Sequence, residues 1–69
     1  MRIISQDGSM SIDMDNARVF VSQDAICYGT ENHKGCLGYY KSMERARDVL
    51  LELHKQMSKG KAFMEMPEE

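Results

Sequence analysis

The sequence predicts a small α+β domain: an antiparallel β-sheet of four to five strands with one α-helix packed across one face, in the order ββββαβ. Three observations carry that expectation. Residues 38–57 hold the only long run with helical periodicity. The segments around it are short, alternating or β-branched, and separated by turn residues. A chain of 69 residues has room for one layer laid on another and for a single domain, here residues 1–66, with 67–69 as a solvated tail.

Residues 2–5 form a β-prone run that ends at Gln6-Asp7-Gly8, where the Asp-Gly pair favours the positive φ of a tight hairpin. From 9 to 14 the alternation is strict, with Met10, Ile12 and Met14 on one face and Ser9, Ser11 and Asp13 on the other. Asp15-Asn16 breaks that strand, which resumes over 17–22. There the inward set is ambiguous, because Val19 and Val21 oppose Phe20 and a slip at the break reverses the faces. Gln23-Asp24 makes a second turn, 25–30 a third strand, and 36–41 a fourth after the polar loop 31–35. Gly35 suits the hairpin loop, and Gly38 within a strand marks a bulge or a close approach of the overlying helix.

The helix begins at Ser42, an N-cap whose oxygen can accept from an unpaired N–H, and Glu44 suits the helix dipole. Placing residues about 100° apart puts Met43, Ala46, Leu50, Leu53 and Met57 on the core stripe, with Val49 and His54 at its borders. Leu51 fits neither face and should be partly exposed. Gly60 supplies a left-handed C-terminal residue. Residues 61–66 alternate as a last strand at the sheet edge, ended by Pro67, which cannot donate to a ladder.

Hydrophobic residues make up 42% of the chain and charged residues 29%, a balance that argues against wholesale disorder. A formal charge of −2 without a basic cluster gives no electrostatic footprint for nucleic acid or anionic lipid. No stretch approaches the ~20 apolar residues of a membrane span, so a soluble protein of the cytoplasm is expected. Cys27 and Cys36 are then expected to be reduced thiols, although a hairpin could bring them close enough to join. Cys27, His33, Cys36 and His54 lack the paired spacing of a structural zinc site, so no metal or other cofactor is expected. A cysteine, His33 and an aspartate include the residue types of nucleophilic catalysis, yet so short a chain is expected to lack a walled substrate pocket and not to be an enzyme. Gly29, Gly35 and Gly38 have no phosphate-loop spacing.

Three segments together resemble a known group: Met1-Arg2-Ile3-Ile4-Ser5-Gln6-Asp7-Gly8, then Leu37-Gly38-Tyr39-Tyr40-Lys41-Ser42-Met43-Glu44-Arg45-Ala46, and last Phe63-Met64-Glu65-Met66-Pro67-Glu68-Glu69. They are similar to small uncharacterised phage and prophage proteins of clostridia and related Firmicutes, over about half of the chain. The resemblance implies a mobile-element origin and a strand-plus-helix domain, and it transfers no catalytic or binding residue. Small phage proteins of this kind are often inhibitors of host defence, an association and not a mechanism.

Seven methionines exceed what so small a core needs for gap filling. Met10, Met14, Met64 and Met66, with Leu51 on the helix, are therefore the expected contact residues for a protein partner or for self-association into a dimer. The leading expectation is a non-enzymatic phage protein that occupies a host immune or regulatory protein. The alternative is an oligomeric binder of a nucleotide messenger, with Tyr28, Tyr39 or Tyr40 stacking on the base and Arg2, Arg18 or Lys34 meeting phosphate. A nucleic-acid-binding regulator is a weaker third, since few cations flank the tyrosines.

Overall fold

A computed structural model describes residues Met1–Glu69. In chain order it holds β1 (Arg2–Ile4), β2 (Ser11–Asp13), a 3-10 turn (Met14–Asn16), β3 (Arg18–Ser22), β4 (Ala25–Gly29), β5 (Lys34–Tyr39), α1 (Met43–Ser58) and β6 (Phe63–Glu65). The chain is α+β with one helix, as expected, but its strands form two three-stranded sheets and not one sheet of four to five. One sheet is mixed: β1 lies at its centre, antiparallel to β2 with Ile3 opposite Ile12, and parallel to β6 with Ile3 opposite Met64. The other is the antiparallel meander β3-β4-β5.

The single-sheet expectation fails at Asp15-Asn16. A carboxylate oxygen of Asp13 accepts the Asp15 N–H at 3.0 Å, its other oxygen accepts the Asn16 side-chain amide at 3.4 Å, and Ala17 N–H donates to the Met14 carbonyl at 3.4 Å. Those local bonds compete with a ladder and turn the chain out of the first sheet. Residues 18–22 are thus a strand of the second sheet, and five strands precede the helix.

One core serves both sheets. Ala46, Val49 and Leu53 of α1 pack with Ile26, Leu37 and Tyr40 from the meander side, and with Ile3 and Met66 from the mixed sheet. Val19 and Val21 join this cluster, which resolves the ambiguous strand and turns Phe20 outward. Val49, expected at the border of the helix stripe, is at its centre. Met43 and Met57 consequently fall on the flank beside half-buried Leu50 and are exposed. Ser42 caps the helix as expected, its hydroxyl oxygen accepting the Arg45 N–H at 3.1 Å.

Gln6 joins the two sheets. Its backbone N–H donates to the Leu37 carbonyl at 2.7 Å, its Oε1 accepts the Tyr39 N–H at 2.9 Å, and its Nε2 donates to the Tyr39 carbonyl at 2.9 Å. A side-chain amide thus stands in for a neighbouring strand along the edge of β5. The same Nε2 reaches the carbonyls of Pro67 and Glu68, Tyr40 Oη donates to the Pro67 carbonyl at 2.9 Å, and Arg45 donates to that of Glu69. Residues 67–69 therefore depart from a free solvated tail: the side chains of Glu68 and Glu69 are exposed, while the backbone is held at three successive carbonyls. The Cα radius of gyration, 10.9 Å, agrees with the ~11 Å of a close-packed chain of this length. No helix is long and apolar enough to cross a membrane.

Candidate functional site

An antiparallel sheet covered on one side by a helix should be polar on the other. The meander is not. Its register aligns three outward rows across the strands: Arg18, Gly29 and Lys34; Phe20, Cys27 and Cys36; Ser22, Ala25 and Tyr39. A bulge makes this possible. Ile26 faces Gly38 while the next residue, Cys27, faces Cys36, so Leu37 is an extra residue on β5. Without it, Cys36 and Tyr39, three apart, would point to opposite faces; with it they share one. Gly38 sits beside the bulge because a Cβ there would lie 3.0 Å from Gln6 Cβ and 3.0 Å from Tyr40 Oη. The close approach expected at Gly38 thus comes from Gln6 and Tyr40 and not from the helix.

Tyr39 is 63% exposed and Phe20 37%, while their neighbours in the register, Ala25 and Cys27, are buried although neither belongs to the shared core. Cys27 Sγ lies 3.2 Å from Cys36 Sγ, and both thiols are free. Burial first, then the hydrogen bond to Cys36, pushes the Cys27 thiol up to about 11. The Tyr39 hydroxyl is raised as well, chiefly by its hydrogen bond with the Cys36 thiol. At the hairpin end of the face the Arg18 guanidinium stacks over the Phe20 ring, 5.7 Å from its centroid. There Arg18, Phe20, Glu31, His33 and Lys34 line an open depression of about 500 Å³.

The structure sorts the residues expected from the sequence. Arg18 and Lys34 do come together, and Tyr39 lies on the same face. Arg2 belongs to the other sheet. Tyr40 cannot stack on a ligand: it is 6% exposed in the core, with its hydroxyl on the Pro67 carbonyl and its ionisation raised by burial. Tyr28 points inward, where its hydroxyl meets Met10 Sδ at 3.4 Å. Met66 is no contact residue either, since it is 3% exposed and completes the core, while Met10, Met14 and Met64 are half-buried against it. The expected methionine surface is therefore mostly core lining. Leu51 is 55% exposed, yet it stands alone among Glu44, Asp48 and Lys55 on the helix side away from Ala46, Val49 and Leu53. No three His, Cys, Asp or Glu side chains gather with metal-holding geometry.

Phe20 and the outward cysteine pair are absent from the contact residues read off the sequence. Their signal is the parity of Val19 and Val21: once these face the core, Phe20 faces out, and antiparallel pairing brings Cys27 beside it. No family model matches the chain, and no curated protein or solved structure matches it either.

Proposed function

We propose that the chain is a non-enzymatic binding protein that acts by occupancy, with the outer face of the meander as its contact surface. The observation that carries this reading is the apolar centre of Phe20, Cys27, Cys36 and Tyr39 on a sheet face that nothing in the chain covers. Arg18 and Lys34 at one end select the occupant: a protein that presents an apolar segment ending in carboxylates. The resemblance to phage proteins makes a host immune or regulatory protein the partner class. The edges of the mixed sheet are less suited to this role, because β2 and β6 hold three residues each and offer few ladder bonds.

The test is capture from host extract, identification of the captured protein, and titration of that protein against variants. Phe20→Ser combined with Tyr39→Ser should weaken binding by about 30-fold or more, the loss of a hot spot worth about 2 kcal/mol, while Leu51→Asp should leave it within a few fold. The reverse pattern moves the contact to the helix, and capture indifferent to all three substitutions removes the face from the reading. Circular dichroism melts of each variant show that the fold persists.

A second reading has its own observation, the gathering of Arg18, His33 and Lys34 with Phe20 around one depression. It makes this chain a binder of a nucleotide messenger, with Phe20 taking the stacking role expected of the tyrosines and Arg18 and Lys34 meeting phosphate. Calorimetry against cyclic and adenine-containing nucleotides decides it: heat that disappears in Arg18→Gln supports the reading, and no heat from any of them ends it.

A further inference from the structure

We infer that Cys27 and Cys36 form a thiol–disulfide exchange site, at which a low-molecular-weight disulfide oxidises the pair to a cross-strand disulfide within one chain. This inference does not rest on the binding reading. Three observations converge on it.

The first is register. Cys27 and Cys36 are directly opposed on adjacent antiparallel strands, a position that sets Cα atoms about 4.5–5.5 Å apart. That separation falls inside the ~4.4–6.8 Å that a disulfide spans. The second is the distance between the sulfurs, 3.2 Å. Reaching a bonded separation of about 2.05 Å takes roughly 1.2 Å of approach, which side-chain rotation supplies without moving the strands. The third is a division of exposure. Cys36 is exposed and Cys27, opposite Phe20 in the register, is buried, so a dissolved disulfide meets Cys36 first.

The division assigns the steps. Cys36 Sγ gives its proton to water and attacks one sulfur of the reagent; the reagent's S–S bond breaks, a mixed disulfide forms on Cys36, and one reagent thiolate leaves and takes a proton. Cys27 Sγ then loses its proton to solvent and attacks Cys36 Sγ, expelling the second reagent thiolate, which is protonated in turn. Two protein thiols are oxidised to one disulfide, and one reagent disulfide is reduced to two thiols. Burial holds the Cys27 thiol protonated at neutral pH, so the first attack falls to Cys36, and the second step rests on the placement of Cys27 Sγ 3.2 Å from Cys36 Sγ.

The test uses the full chain, reduced and then freed of reductant, in excess oxidised glutathione. The expected product is monomeric, has no titratable thiol after unfolding, and weighs two hydrogens less than the reduced chain. Proteolysis should release one linked pair of peptides containing Cys27 and Cys36. Cys27→Ala should accumulate as the glutathione adduct of Cys36, because the resolving sulfur is gone. The inference is overturned if the unaltered chain stops at that adduct with Cys27 still free, if it couples to a second chain, or if both thiols survive the excess of oxidant. These readings on the unaltered chain decide the matter even where Cys27→Ala fails to fold.

Discussion

Asp7 gathers three donors on one oxygen: the Ser5 hydroxyl at 2.8 Å, the Ser9 N–H at 3.0 Å and the Ser9 hydroxyl at 2.7 Å. With Gly8 at φ +75, they shape the turn between β1 and β2. The Ser9 N–H first, then the two hydroxyls, hold the carboxyl down at about 2, against an ordinary 3.8. A carboxylate whose folded pKa lies below its unfolded one stabilises the fold above the unfolded value and loses that contribution as pH falls through the folded value. Melting temperature should therefore drop between about pH 4 and pH 2, and Asp7→Asn should flatten that part of the profile. An unchanged slope in the variant would assign the acid response elsewhere. Tyr39 carries a second prediction at this scale. Its hydroxyl is raised by the Cys36 thiol, so Cys36→Ala should lower the pH at which one tyrosine ionises in an ultraviolet titration. Titration curves that superimpose would place the Tyr39 hydroxyl away from that sulfur.

Among the elements, α1 is the one whose whole design is local. Ser42 closes its first turn, and its end is a Schellman motif: Gly60 N–H donates to the Met57 carbonyl at 3.0 Å and Lys61 N–H to the Gln56 carbonyl at 3.3 Å. Gly60 holds φ +77 with nothing near its missing Cβ, so the cost of a side chain there is conformational alone. Ser42→Ala should cost about 1 kcal/mol and Gly60→Ala about 1–2 kcal/mol. The two sites are far apart along the helix, so their effects should add. For a domain of this size each kcal/mol lowers the melting temperature by about 4–8 °C. A double variant that melts with Ser42→Ala alone would show that Gly60 is not needed as the stop. This locality is also why the helix is legible in the sequence: cap, 3.6-residue period and stop lie within about twenty residues. The rotation of its stripe is less legible, because which border residue becomes the centre depends on the surface it meets. Val49 moves inward and Met57 outward only once Ile26 and Leu37 are beneath the helix.

At the level of the whole molecule, the division into two sheets is a long-range decision that no window of sequence displays. The parallel pairing of β6 with β1 joins residues some sixty apart, and a glutamine that links the sheets has its partners 31 to 62 positions away. For the same reason Arg18 and Lys34 are identifiable as cations but their meeting is not, since it follows from Gly29 standing between them in the register of three strands. Gln6 should then control how far the sheets open independently. Gln6→Ala removes the acceptor of the Tyr39 N–H and the donor to the Tyr39, Pro67 and Glu68 carbonyls, so the link keeps the backbone bond from residue 6 to the Leu37 carbonyl, the Tyr28 hydroxyl on Met10 and packing against the shared core, and loses its side-chain part. Native-state hydrogen exchange should show the Tyr39 amide, and that of Met66, which donates to the Ile4 carbonyl, exchanging through a smaller opening. The β4 amides of Ile26 and Cys27 should follow global unfolding as before. Gln6→Glu separates the two halves of the link, because a carboxylate still accepts the Tyr39 N–H but cannot donate: protection should persist at Tyr39 and fall at Met66. If every amide in either variant loses the same amount, Gln6 contributes to overall stability without coupling one sheet to the other.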